Sequence, residues 1–353
     1  MSEKLIRYKK QVYPIKDDLF GYLKKYGRGI QMPLKYNDLL RFSGGIPIYD
    51  INEKDTLWLN TYYPPEEKQE IDIALKKIYS ILYVDGGDEL LPYLNVDSID
   101  FCTYGNTKPF RIKVRNILND NYVFFYIKQA DASRVYGLEL EHLLSPNQTN
   151  FLVTEDTLIE DHISGIPGDV FPKDFLSNCS KQEKAAIAKD FVKFNERCFV
   201  RLLGDMRAYN YVLVLMHDFD RIQYRFRAID FDQQSYEGDM KAYYPKFYEE
   251  NKVYQDLVDE LLSSGSVEQY KREERALIAK RANSEWSRLQ DLLSCMKKEE
   301  LSSKENIDQL KKQLFKFAKD IEFKKAVNMG EIIEAAINFV VRNYKNINPY
   351  IIK

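Results

Sequence analysis

"RLLGDMRAYNYVL", residues 201–213, sets an acid, Asp205, and an amide, Asn210, in a short turn between two structured runs. Upstream, "SKQEKAAIAKDFVKFNERCFVRLL" (180–203) opens on Ser180 and Glu183, the two halves of a capping box. Ile187, Phe191, Phe194 and Cys198 then recur at helical spacing, which predicts an amphipathic helix leading into the turn. Downstream, "NYVLVLM" (210–216) and "YRFRAIDF" (224–231) are β-rich and joined by "HDFDR", which reads as a hairpin. Its second strand runs into Asp230 and Asp232 of "AIDFDQQ", so a carboxylate at that strand end meets Asn210 across the hairpin.

Further from the turn the periodicity changes. "SIDFCTYGN" (98–106), "PFRIKVRNI" (109–117) and "YVFFYIKQA" (122–130) are apolar, β-branched or aromatic runs separated by turn residues, the pattern of an antiparallel meander. A helical stretch, "SRVYGLELEHLLS" (133–145), follows, then the strand-like "NFLVTED" and "TLIEDHISGIPGDVF", which end in a Gly- and Pro-rich connector. Before the meander, Pro65 with Glu66, Glu67 and Glu70 marks a helix start, Ile71, Leu75, Ile78 and Leu82 carry its apolar stripe, and Gly86 and Gly87 stop it. The residues before Pro65 read as irregular, with "RFSGGIPIYD" and "LNTYYPPEE" as turns. After "EGDMKAYYPKFYEENK" (237–252), read as a surface loop in preference to a pocket lining, the chain is helical to its end, interrupted by the polar loop "KKEELSSKEN".

A length of 353 residues suits two or three domains, or one two-lobed enzyme with an extension. With 44% hydrophobic and 30% charged residues and a formal net charge of -2, the composition is that of a globular protein and argues against nucleic-acid binding by bulk electrostatics. No apolar run approaches a membrane span, and the first residues lack the apolar stretch of a signal peptide. Cys102, Cys179, Cys198 and Cys295 are scattered, and with three histidines a zinc site has poor raw material. A cytoplasmic protein with reduced thiols is expected. No Gly-x-Ser-x-Gly motif supports a serine hydrolase.

The order of these elements resembles the protein-kinase-like fold in its broad sense, which takes in aminoglycoside and choline phosphotransferases and lipid kinases. The resemblance implies an α+β, two-lobed fold, with a small antiparallel β lobe holding one helix and a mainly helical large lobe. On that reading residues 96–165 form the small lobe and hinge, residues 166–353 the large lobe, and residues 1–95 an N-terminal extension or accessory region.

Phosphoryl transfer needs a carboxylate near the attacking hydroxyl, oxygen ligands for Mg²⁺ and a cation on the phosphate chain. Asp205 and Asn210 match the Asp-x-x-x-x-Asn of the kinase catalytic loop. By that resemblance Asp205 accepts the substrate proton, Asn210 and Asp230 hold Mg²⁺, Asp232 is a second metal ligand, and Arg207 contacts the γ-phosphate. Lys128, on the third meander strand, corresponds to the phosphate-binding lysine. Of Glu139 and Glu141 on the following helix, Glu139 is the favoured partner of Lys128. The stretch Glu160–Ile163, with Glu160 and His162, resembles the hinge whose backbone holds adenine. Gly105 and Asn106 lie where backbone amides cover the phosphates.

The sequence departs from the family in three places. A Gly-x-Gly-x-x-Gly loop is replaced by "YGNTKPF", "LGD" stands in place of "HRD" or "HGD", and no Ala-Pro-Glu follows Asp230. "Gly-Asp" leans toward the small-molecule phosphotransferases. The implied function is an ATP- and Mg²⁺-dependent phosphotransferase acting on a hydroxyl of a small molecule or protein. Its alternative is a catalytically weak or inactive kinase-like module that docks a protein through its N-terminal extension or C-terminal helices.

Overall fold

The computed structural model describes residues 10–84, 86–104, 107–154, 156–218 and 221–346. The chain is α+β and forms two compact units: Pro14–Asp131 with Asn150–His162, and Met1–Tyr13 with Ala132–Thr149 and Ile163–Lys353.

The first unit contains α1 (Asp17–Lys25), α2 (Tyr36–Leu39), β1 (Gly44–Tyr49), β2 (Asp55–Tyr62), α3 (Pro65–Tyr83), β3 (Leu94–Cys102), β4 (Phe110–Asn116), β5 (Tyr122–Gln129), β6 (Phe151–Val153) and β7 (Thr157–Asp161). Its strands make a seven-stranded antiparallel sheet in the order β1-β2-β3-β4-β5-β7-β6. The meander expected from the sequence is β3–β4–β5. Alternation decides its faces: Phe110, Ile112 and Val114 of β4 and Phe125 and Ile127 of β5 are buried, while Arg111, Lys113 and Arg115 alternate with them. Ile71, Leu75, Ile78 and Leu82 of α3 join the same core, each buried side chain contributing roughly 1.5–3 kcal/mol relative to exposure.

Residues before Pro65 are not irregular throughout. Residues 44–62 form the β1–β2 hairpin, which joins the sheet through the β2–β3 ladder. β1 is the sheet edge, where Pro47 is tolerated because one side of the strand needs no donor.

The second unit begins its described part with α4 (Ala132–Leu144) and continues through β8 (Ile166–Pro167), α5 (Phe171–Asp174), α6 (Lys181–Arg201), β9 (Tyr211–Asp218), β10 (Arg221–Ala228), α7 (Lys252–Leu261), α8 (Ser264–Ser284), α9 (Trp286–Met296), α10 (Lys304–Ala318), α11 (Ile321–Lys325) and α12 (Met329–Tyr344). β10, β9 and β8 form a three-stranded sheet in that order. α6 starts on the expected capping box: the Glu183 N–H donates to Ser180 Oγ at 3.2 Å and the Ser180 N–H to Glu183 Oε2 at 2.8 Å. Ile187, Phe191, Phe194 and Cys198 are buried along it.

α4 is enclosed on nearly every side, and it carries Arg134, Glu139 and Glu141 into the interior. Buried charges demand partners. Glu141 takes Arg201 of α6, with Ser145 Oγ and Asn147 Nδ2 donating to its other oxygen at 2.5 and 2.8 Å. Glu139 takes Arg288 Nη2 at 2.8 and 2.7 Å on its two oxygens. Among the described residues no helix is long and apolar enough to cross a membrane.

Candidate functional site

The α6 helix ends on Leu202 with φ 52°, a left-handed C-cap, and the Leu203 N–H folds back to Cys198 O at 2.9 Å. That turn sends the chain alongside residues 233–235. The Gly204 N–H donates to Gln233 O at 3.1 Å and the Ser235 N–H to Leu202 O at 2.8 Å. The β9–β10 ladder closes at Tyr211 opposite Ala228, and one further bond, Ile229 N–H to Asn210 O at 3.0 Å, extends it toward the acids. Asn210 Nδ2 in turn donates to Asp205 O at 2.7 Å. The turn is therefore tied by its own amide and held at the open end of the hairpin, where Asp230 follows. The structure brings Asp205, Arg207, Asn210, Asp230 and Asp232 to one place.

Asp205 adopts φ 56°, an uncommon conformation for a residue with a β-carbon. Its N–H donates to Tyr248 Oη at 3.0 Å, and Arg207 Nε donates to its Oδ1 at 3.0 Å. Arg207 Nη1 also reaches Glu250 Oε1 at 2.7 Å. Burial lifts the Asp205 carboxyl to about 6; Arg207 opposes the rise and Asp230 adds to it. Burial, with the charges of Asp205 and Asp239, lifts Glu237 to about 7. Residues 237–252, expected as a surface loop, are thus part of the setting of Asp205. They pack inward because the run is aromatic: Tyr243 and Tyr248 are buried, and Tyr244 stacks on Phe199 at 4.2 Å between ring centroids.

Asp230 and Asp232 share one cation. Arg134 Nη1 donates to Asp230 Oδ1 at 2.8 Å and to Asp232 Oδ1 at 2.7 Å, and the Asp232 N–H donates to Asp230 Oδ1 at 3.0 Å. Among the described residues no group of three or more His, Cys, Asp or Glu side chains forms a metal cage. The donor set here is of another kind. Among the described residues the Asn210 side chain bonds through Nδ2 only, which leaves its amide oxygen available beside Asp230. One carboxylate and one amide oxygen fit Mg²⁺, which keeps several waters and takes its remaining oxygens from a phosphate ligand. Asp232, expected as a second metal ligand, is engaged by Arg134.

In the first unit Lys128 Nζ donates to Glu160 Oε2 at 2.7 Å, an ion pair between neighbouring strands with both residues buried. His162 Nδ1 lies 3.1 Å from Tyr126 Oη, and burial pushes its pKa down. Glu139, expected as the partner of Lys128, is bonded to Arg288, which lies in the same compact unit. Gly105 and Asn106 lie outside the described residues. Sequence reasoning passed over Arg134, Glu237, Tyr248 and Glu250. Arg134 sits in a run that looks amphipathic, and its two partners are nearly a hundred residues away in the chain. No family model matches this chain, and no curated protein matches it.

Proposed function

We propose that this chain is an ATP- and Mg²⁺-dependent phosphotransferase of the two-lobed protein-kinase-like kind, moving the γ-phosphoryl group to a hydroxyl. The sheet unit corresponds to the small lobe and the helical unit to the large one. The observation that carries the reading is the tied turn: Asn210 bonded to the Asp205 backbone, Asp230 beside both, and an Asp205 carboxyl at about 6. A carboxylate with that affinity accepts a hydroxyl proton near neutrality. The hydroxyl oxygen bonds to the γ-phosphorus, the bond to the leaving ADP oxygen breaks in line, and the hydroxyl proton passes to Asp205. Arg207 orients that carboxylate through Nε while Glu250 anchors its other end. Asn210 and Asp230 would hold Mg²⁺, which when bound supplies charge neutralisation on the transferring phosphate. Lys128, held by Glu160, is the phosphate lysine of the resemblance.

The test is a thermal melt with millimolar ATP and Mg²⁺ on wild type and Asp230→Asn. Ligand at about 100 times its Kd adds roughly 2.7 kcal/mol, a rise of several degrees at this size. A Mg²⁺-dependent rise that the variant lacks is expected. An equal rise in both proteins, or none in either, refutes the assignment.

A second reading, a kinase-like binding module without turnover, draws on the re-partnered charges. Lys128 is paired with Glu160, Glu139 with Arg288, and both acids of "DFD" with Arg134. A nucleotide-induced rise in melting temperature without any turnover of ATP would favour it.

A further inference from the structure

We infer that Arg134 is the resident cation of the Asp230–Asp232 pair, so that a divalent ion at this site is held by Asn210 and Asp230 and not by Asp232. The inference rests on the phosphotransferase reading only for the reason an ion is there at all. Nη1 of a guanidinium carries two N–H groups, and here one goes to each acid, at 2.8 and 2.7 Å. Arginine stays charged at any working pH, so the clamp is a permanent positive charge. The Arg134 side chain is 2% exposed against 34% for Asp230 and 20% for Asp232. Nη2 donates to Ile229 O at 3.3 Å, which fixes the plane of the group.

Three consequences follow for an incoming cation. An ion bridging both carboxylates has to displace a buried guanidinium and leave it without its acids, which is strongly unfavourable. Asp232 is the less exposed acid and its charge is matched by Arg134, so the trio carries one net negative charge, centred on Asp230. Asn210 offers an oxygen on the Asp230 side, because Nδ2 is the end it spends on Asp205. Arg134 therefore does electrostatically for Asp232 what a second metal ion would do, and the site is a one-ion site. It also keeps two like charges close enough that the Asp232 N–H bonds to Asp230 Oδ1. Arg134 is a positioning residue for Asp230.

Mn²⁺ uptake by the full chain without nucleotide, read from the loss of the free-ion electron paramagnetic resonance signal, tests this. Asp230→Asn is expected to weaken uptake at least tenfold, and Asp232→Asn to leave it within twofold of wild type. Arg134→Gln should tighten uptake at least tenfold by releasing Asp232, and the gain should vanish in the double variant with Asp232→Asn. Asp232→Asn weakening uptake as much as Asp230→Asn does, an unchanged affinity in folded Arg134→Gln, or no millimolar uptake by wild type each overturn the inference. Should Arg134→Gln fail to fold, the comparison of Asp230→Asn with Asp232→Asn decides alone. Nucleotide binding is read separately in the melts: its absence with Mn²⁺ uptake as expected removes the phosphotransferase reading and leaves the role of Arg134 standing.

Discussion

Burial holds the Asp205 carboxyl at about 6, and the same burial that suits it to accept a proton makes it a liability to the fold. A general base works deprotonated, so kcat/KM is expected to rise with pH through about 6 and level above it. Arg207→Gln removes the cation that opposes burial and should carry that limb to higher pH. Asp205→Asn should abolish the limb together with at least a hundredfold of turnover, in line with about 10² or more for general-base catalysis. Limbs that coincide in wild type and Arg207→Gln would assign the ionisation elsewhere. The sign for stability is the opposite of a paired carboxylate. The folded state binds the proton more tightly than an unfolded aspartate near 3.9, so stability falls as pH rises from about 4 to about 6 and stays reduced above it. The gap between those two proton affinities sets an upper limit of about 3 kcal/mol, and partial exposure brings this to about 1–2 kcal/mol. The inactive Asp205→Asn should therefore melt a few degrees above wild type at pH 8 and match it at pH 4.

Among the elements, α4 is the one whose stability depends most on remote partners. Burial pushes the Glu141 carboxyl up, but Arg201, Ser145 and Asn147 outweigh it and hold it below the usual range. Its contribution is thus present above the unfolded carboxylate range, near 4.5, and lost as pH falls through the lowered folded value. Glu141→Ala leaves Arg201 buried and unmatched, which costs about 3–5 kcal/mol and lowers the melting temperature by about 10 °C at pH 7. A change under about 2 °C in calorimetry would show the pair to be dispensable. Local signals made much of this architecture legible in the sequence. The Ser180–Glu183 box, Pro65 ahead of the α3 stripe and the turn residues around β3, β4 and β5 each act within a few positions of the structure they encode. The β1–β2 hairpin was illegible because "GGIPIY" carries turn residues on an edge strand, and Gly44 is there for close approach: a β-carbon would collide with the Tyr62 ring. The burial of α4 was illegible for another reason. Alternating Glu and Leu in "GLELEHLL" looks like a solvated face until Arg201 and Arg288 are found inside with it. The same gap hid Arg134 while leaving Asp205, Asn210 and Asp230 readable from their spacing.

For the molecule as a whole, the two units do not follow the order of the chain. Residues 132–149 lie in sequence between β5 and β6 of the sheet unit, yet they belong with residues 163–353. Three of their charged side chains explain why: Glu139, Glu141 and Arg134 are the counter-ions of Arg288, Arg201 and the Asp230–Asp232 pair. A cut at the boundary suggested by the sequence, giving residues 166–353, removes α4 and strands two buried arginines and an acid pair at once. Each stranded charge costs about 3–5 kcal/mol, and their sum reaches the whole stability of a typical domain, about 5–15 kcal/mol. Residues 166–353 alone are therefore expected to be recovered without a cooperative thermal transition, whereas residues 132–353, which restore α4, should regain one. Circular dichroism melts of the two fragments decide the matter. A cooperative transition in 166–353 at the temperature of 132–353 would mean that α4 is an accessory to the helical unit and that its charges find water once it leaves; a transition in 132–353 only would make α4 part of the core that holds Asp230 in place.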